Sequence, residues 1–314
     1  MGTPGFAVPS LEILIENNYN VVGVVTVADK PAGRGYKLQK SDVKKCAQKH
    51  ELKTLQPLNL EDSDFIDELK GLKIDLIVIV AFRKLPRIVW EMPSKGTFNL
   101  HGSLLPKYRG AAPLNWAIIN GDDKTGVTTF FLEEKIDTGK IISQMELEIG
   151  KNDTVGDIHD KLMFVGAQLV LDTVIKIANN KIVATEQDVK SIPDYQKKAP
   201  KIYKTTGIID WNSSIEKIHN LVRGLSPYPG SHAVLENDLG KQLKVKIFKT
   251  EIDRETPLNG SEKSGTIVTD SKTELKVNCP GGQLKILELQ LEGKKRMTTQ
   301  QLLQGNKLLG CKFI

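Results

Sequence analysis

Three residues near the middle of the chain could together act on one carbonyl group: Asn99, His101 and Asp137. Asn99 and His101 stand two apart in residues 96–101, a run that reads as a strand, and side chains two apart on a strand point to one face. An amide donor beside an imidazole polarises a single carbonyl oxygen. Asp137 opens Asp137-Thr138-Gly139, a turn between two predicted strands. A carboxylate meeting the imidazole would fix its tautomer and favour its charged form. The same residue types also serve to satisfy loop backbone, with Asp137 simply making a turn, so taken alone they leave both roles open.

The elements that must position these residues are readable upstream and downstream. The runs 21–27 and 74–81 are nearly continuous in apolar, largely β-branched residues, which suits strands buried on both faces of a parallel sheet. Helical patterns at 8–18, 41–50 and 61–70 alternate with them, so the region reads as a layered α/β domain. Open sheets of this kind place their sites at the carboxyl ends of strands, where Asn99 and His101 fall. A helix at 111–119 and strands at 125–133 and 140–148 follow. Thr154 with Asp157 opens a long helix in capping-box style, with an apolar stripe at Ile158, Leu162, Val165 and Leu169.

Beyond about residue 182 the periodicity fades. Residues 190–204 are lysine-rich, contain Pro193 and Pro200, and read as a linker. After a helix at 215–225 come short strand-like runs at 231–236, 243–250, 265–269, 274–278 and 284–291, a pattern that predicts a small barrel or sandwich. The expected division is 1–189, a linker 190–204, and 205–314.

A length of 314 residues suits two domains. No stretch approaches 18 consecutive apolar residues, and the N-terminus lacks a basic region followed by an apolar one, so neither a membrane span nor a secretory signal is expected. Cys46, Cys279 and Cys311 are odd in number and far apart, which supports neither a disulfide framework nor a zinc knuckle and fits a reducing cytoplasm. Residues 1–200 hold 26 Lys+Arg and 26 Asp+Glu, whereas residues 201–314 hold 18 and 12, so the whole net charge of +6 sits in the last third. A basic module beside a neutral one suggests a polyanion held next to the chemistry. Gly33-Arg34-Gly35-Tyr36-Lys37-Leu38 lacks the third glycine of a dinucleotide loop, and no Walker A, His-Glu-x-x-His or Gly-x-Ser-x-Gly motif is present, which disfavours a nicotinamide oxidoreductase.

Several segments carry a resemblance. They are Met1-Gly2-Thr3-Pro4 with Phe6-Ala7-Val8-Pro9, Asp29-Lys30-Pro31-Ala32-Gly33-Arg34-Gly35, the run from Asn99 to Pro113, and Asp137-Thr138-Gly139. Past the linker follow Ile209-Asp210-Trp211, Pro227-Tyr228-Pro229-Gly230 and the run from Leu291 to Met297. Together they resemble the methionyl-tRNA formyltransferase family over essentially the whole chain. The Asn-x-His, Ser-Leu-Leu-Pro and Asp-Thr-Gly set alone marks only the wider formyltetrahydrofolate-dependent transferases. Two departures are visible. The family normally has a short first strand before Gly-Thr-Pro, whereas Met1 stands where that strand should end, and Gly5 stands where the family usually has Asp or Glu.

The resemblance implies a Rossmann-like formyltransferase domain with a largely parallel sheet, followed by an OB-like β-barrel. It implies transfer of a formyl group from 10-formyltetrahydrofolate, a co-substrate, to the α-amine of methionyl-initiator tRNA, with no metal. Asn99 and His101 would donate hydrogen bonds to the developing oxyanion, and Asp137 would hold His101 and help remove the amine proton. Ser103, Leu104, Leu105 and Pro106 would shape the folate pocket, with Val80, Ala81 and Phe82 as a second wall. Lys30, Arg34 and Lys37 would approach the tRNA acceptor end. Arg223, Lys244, Lys246, Lys294, Lys295 and Arg296 would line a phosphate-binding face. His50, His159, His219 and His232 are expected at surface or structural positions, and the protein is expected to be a monomer. The competing readings are a formyltransferase acting on a small amine, such as an amino sugar or glycinamide ribonucleotide, and a non-catalytic folate- or RNA-binding relative.

Overall fold

The computed structural model describes residues 1–32, 37–254, 263–306, 308 and 310–314. The chain forms two compact units. One comprises Met1–Pro113, Thr125–Leu147 and His159–Ala199; the other comprises Leu114–Lys124, Glu148–Ile158 and Pro200–Ile314.

The first unit is the expected α/β layer. Strand Ile77–Val80 runs parallel to Thr97–His101, which pairs antiparallel with Lys124–Phe131; Ile141–Glu148 lies beyond. Val24–Val25 pairs in parallel with Thr54–Leu55. The two groups are joined by Met1 and Gly2. The Gly2 amide donates to Val25 O, the Val80 amide donates to Met1 O, and the Met1 amine donates to Val78 O at 2.7 Å. Met1 and Gly2 thus behave as the last two residues of a central strand paired on both sides. Beside them lies a cavity of about 600 Å³ lined by Leu14, Val22, Val24, Ile74, Leu76 and Val78 among others.

This explains why two strong β runs give short ladders. Residues 21–27 yield only Val24–Val25, and residues 74–81 only Ile77–Val80. A strand forms where backbone groups find partners, and Val25, Val78 and Val80 find theirs in Met1 and Gly2. Burial in this position pushes the Met1 amine down to about 5.

The expected helices form at Val8–Glu16, Asp42–Lys49, Ser63–Gly71 and Val155–Ala178. Asp157 accepts from both the Thr154 amide and hydroxyl, and the Asp157 amide donates back to Thr154 Oγ1, closing the capping box. Gly166 matters for packing, because a Cβ there would stand 2.7 Å from the Leu100 side chain. Its absence lets the long helix lie against the strand that carries Asn99 and His101. Gly5 has a simple local setting: a Cβ on it would stand 3.7 Å from Asp42 Oδ2, so a carboxylate already occupies this neighbourhood.

The second unit is a barrel. Helix Ile215–Gly224 precedes an antiparallel sheet that runs, neighbour to neighbour, through Ile267–Thr269, Leu275–Cys279, Gly282–Leu291, Gln242–Asp253, Ser231–Glu236 and Lys312–Phe313. A bridge between Thr266 and Lys312 brings the two ends together, so the sheet nearly closes on itself. Closure removes exposed strand edges. Val245, Ile247, Leu275, Val277, Leu284 and Ile286 fill the interior, and Trp211 stacks on Phe313 at 5.0 Å. The fold class expected from the sequence, a Rossmann-like domain followed by an OB-like barrel, is the one observed. No helix among the described residues is long and apolar enough to cross a membrane.

Candidate active site

Along Thr97–His101 the pleat separates two faces. Phe98 and Leu100 are buried on one side, and Asn99 and His101 share the other. The His101 ring is buried and sits edge-on to Phe130, 6.4 Å between centroids. Its Nε2 lies 2.9 Å from Tyr108 O. A carbonyl can only accept, so Nε2 carries a proton and the neutral ring has its lone pair on Nδ1. Nδ1 faces Asp137 Oδ2 at 3.8 Å. The Asn99 carboxamide makes no hydrogen bond to the described residues, which leaves its donor available on the same face. The three residues singled out from the sequence are therefore brought to one place.

Asp137 is held at both ends. Its Oδ2 accepts from the Gly110 amide at 2.9 Å. Its carbonyl, with that of Gly139, accepts from Gln187 Nε2 at 3.0 and 2.8 Å. Gln187 Oε1 in turn accepts from Arg109 Nε and Nη2 at 2.9 and 2.6 Å. Burial pushes the Arg109 guanidinium down, and the Asp137 charge opposes that shift. Two glycines make the arrangement sterically feasible. A Cβ on Gly139 would collide with the Phe131 carbonyl oxygen, and one on Gly110, where φ is +127, would stand 2.6 Å from Ala199 O. Gly139→Ala is expected to lose about 1–3 kcal/mol of stability through overpacking, read as a lower urea midpoint at unchanged m-value.

The segment after His101 is fixed by one threonine. Thr128, opposite His101 on the neighbouring strand, donates to Ser103 O at 2.6 Å and accepts from the Leu105 amide at 3.0 Å. Gln144 Nε2 reaches both Leu105 O and Thr128 Oγ1. Ser103 Oγ is taken by Lys107 O at 2.6 Å. Ser103 and Leu105 are buried and shape the loop from within, while Leu104 and Pro106 are half-buried. At the end of the neighbouring strand, Val80 is buried, Ala81 is exposed with φ +49, and Phe82 is half-buried with Arg83 over its ring at 5.7 Å.

The basic residues separate into distinct groups. Lys30 is exposed at the start of a hairpin whose strands are Lys30–Ala32 and Lys37–Gln39. Its base is anchored by Asp29, which accepts from Lys44 at 2.6 Å and Gln56 at 2.9 Å; the Lys44 hydrogen bond chiefly holds the Asp29 carboxyl below its usual range. Arg34 lies outside the described residues, as does the side chain of Lys37. In the second unit, Lys244 and Lys246 are exposed and alternate with buried Val245 and Ile247, so they form the stripe expected from their spacing. His232 lies opposite Lys246 and is pushed down by burial first and by the Lys246 charge second. Lys294 and Lys295 are exposed. Arg296 is exposed, pairs with Glu288 and stacks over Phe248 at 4.5 Å.

Arg223 requires a correction. It is only 7% exposed, and its guanidinium donates to Asn220 Oδ1 and to the carbonyls of Gly150 and Asp153. It closes a loop rather than facing a phosphate. His219, one turn earlier, is likewise structural, bonded to Thr250 Oγ1 and Lys151 O, with burial pushing its ring down. Neither contact was visible in sequence, because the carbonyls lie about 70 residues away. Gln187 was missed for the same reason: it falls where periodicity has faded and carries no local signal.

A strand-end carboxamide, an imidazole and a carboxylate stand on a Rossmann-like sheet followed by a barrel, and the comparisons put this chain among the formyltransferases. The family model described as "Formyl transferase" matches residues 1–174, and "Formyl transferase, C-terminal domain" matches residues 201–307. Methionyl-tRNA formyltransferase of Bacteroides fragilis is 50% identical over 305 residues, 97% of this chain and 93% of its own length. That of Bacteroides thetaiotaomicron is 50% identical over 98% of this chain and 95% of its own length, and that of Flavobacterium johnsoniae 49% over 97% and 94%. The chain belongs to the methionyl-tRNA formyltransferase family. Among solved structures, the sugar 3N-formyl transferase WlaRD, crystallised with dTDP and 5-N-formyl-THF, superposes with a TM-score of 0.65 at 22% identity, covering 94% of this chain and 97% of that one. HypX from Aquifex aeolicus, in complex with tetrahydrofolic acid, gives 0.59 at 20% identity over 84% and 44%. These two likenesses speak to the fold.

Proposed function

We propose that this chain transfers the formyl group of 10-formyltetrahydrofolate to the α-amine of methionyl-initiator tRNA, acting in the cytoplasm as a monomer. Formyl transfer is assigned to residues 1–189 and tRNA holding to residues 205–314, joined through 190–204. The observation that carries the reading is the convergence of Asn99, His101 and Asp137 at one strand end, with the Asn99 carboxamide unpartnered among the described residues.

The residues present suit a folate beside this cluster. Ala81 is exposed at the end of its strand, and the Leu104–Pro106 edge is already ordered by Thr128. The folate supplies an activated formyl group. Asn99 donates to the carbonyl oxygen as negative charge develops there, and a lost donor of this kind costs about 10²–10³ in rate. The amine attacks the formyl carbon and His101 receives its proton at Nδ1, its Nε2 being engaged with Tyr108 O; collapse of the tetrahedral adduct breaks the formyl C–N10 bond, and that proton passes to N10 as tetrahydrofolate leaves. Only the doubly protonated ring can then donate from Nδ1 to the oxyanion, so donation by His101 follows proton uptake. Asp137 stabilises that charged ring across 3.8 Å and holds its orientation.

The acceptor is assigned from the near full-length relatives and from the charge distribution. Lys30, Lys244, Lys246, Lys294 and Lys295 are exposed cations suited to phosphates, which give affinity with salt dependence and no sequence readout. The test is formyl transfer to charged initiator methionyl-tRNA, with elongator methionyl-tRNA and a panel of amino sugars and glycinamide ribonucleotide as comparisons. Transfer to the initiator is expected. Equal transfer to a small amine, or none to any acceptor, would replace the reading with one of its competitors. The same assay run across salt concentrations is expected to show Lys244→Ala and Lys246→Ala each reducing the slope of log affinity against log salt by about one.

A further inference from the structure

We infer that Gln187 is a positioning residue for formyl transfer, a clamp that with Arg109 holds the Asp137 carboxylate at the reacting face. The inference rests on the formyl-transfer reading, which it deepens.

Asp137 has φ +55, in the left-handed region that a non-glycine residue occupies only when its surroundings impose it. Gln187 imposes it from the backbone side. Its carboxamide has two N–H donors and two acceptor lone pairs, and all four are used. Nε2 serves the carbonyls of Asp137 and Gly139, and Oε1 serves Arg109 Nε and Nη2. The orientation of the amide is unique, because a guanidinium only donates and a carbonyl only accepts. Glutamate would turn an oxygen toward two carbonyls. Lysine in place of Arg109 would lose the two-pronged fork.

Arg109 continues into Gly110, whose amide holds the Asp137 carboxylate, and is preceded by Tyr108, whose carbonyl holds His101 Nε2. The pair Arg109–Gly110 is itself paired with Lys198–Ala199. Gln187 therefore ties the turn 137–139 to the one loop that orients both members of the His101–Asp137 pair. Removing it frees the backbone of Asp137 while leaving every reacting group chemically intact.

The test uses the full chain carrying Gln187→Glu, which is nearly isosteric, and Gln187→Ala. Kinetics and the Gly110 amide signal in spectra of protein labelled with ¹⁵N-glycine are both recorded. The Gly110 amide reports the Asp137 carboxylate directly and needs no substrate. Both variants are expected to shift that signal in the direction seen for Asp137→Asn. Both are expected to lower kcat by about 10²-fold, the cost of misplacing a group by about 1 Å, with KM for either substrate within about twofold. In an Asp137→Asn background, Gln187→Ala is expected to add little, because the two act as one unit. An unmoved Gly110 signal, an unchanged kcat in an active protein, or full additivity overturns the clamp. If the unsubstituted protein transfers no formyl group, the functional reading fails instead, and the Gly110 signal still decides the clamp.

Discussion

Asp137→Asn is expected to lower kcat by about 10²–10⁴-fold, the range for a positioned acid–base partner, with little change in either KM. The asparagine oxygen can still accept from the Gly110 amide, so the turn keeps its geometry. What disappears is the negative charge 3.8 Å from His101 Nδ1. That charge matters only once the ring has taken up a proton, so its loss falls on the transition state and leaves substrate binding alone. A variant that loses kcat and kcat/KM equally would match this account. One altered only in KM, or that retains wild-type turnover, would remove Asp137 from the stabilisation of the charged ring. Single-turnover measurement separates the chemical step from tRNA release.

The second large effect concerns stability. Thr128→Val, which keeps the shape and removes the hydroxyl, is expected to lower the urea midpoint at unchanged m-value. Thr128 is fully buried, and its hydroxyl donates to Ser103 O and accepts from the Leu105 amide and from Gln144 Nε2. The variant leaves the Ser103 carbonyl and the Leu105 amide without that partner, at a cost of about 1–3 kcal/mol for each buried group left unsatisfied. A midpoint equal to that of the unsubstituted protein would mean that Thr128 does not order the segment after His101.

Much of the fold was legible because local pattern and tertiary role agree. The capping box at Thr154 and Asp157 forms as written, and the alternation in 231–250 becomes a barrel wall with Lys244 and Lys246 outside and Val245 and Ile247 inside. The site was legible where chemistry rides on one element. Asn99 and His101 share a face because two residues on a strand always do, and Asp137 was recognisable by its place in a glycine-containing turn and by the family resemblance.

The rest depended on contacts between residues distant in the chain. Arg223 has the type and position of a phosphate ligand, yet the carbonyls of Gly150 and Asp153 claim it; hydropathy along a helix cannot report an acceptor supplied about 70 residues upstream. Gln187 and Thr128 sit in segments with no special composition, and their importance is a matter of four and three hydrogen bonds whose partners only the folded chain assembles. The tautomer of His101, and with it the order of proton uptake and donation that we propose, is set by the carbonyl of Tyr108. By itself the sequence determined which side chains could carry formyl transfer and which faces they occupy. The tertiary structure decided which polar groups are satisfied by the described residues and which, like the Asn99 carboxamide, are not, because hydrogen-bond saturation is a property of neighbours in space.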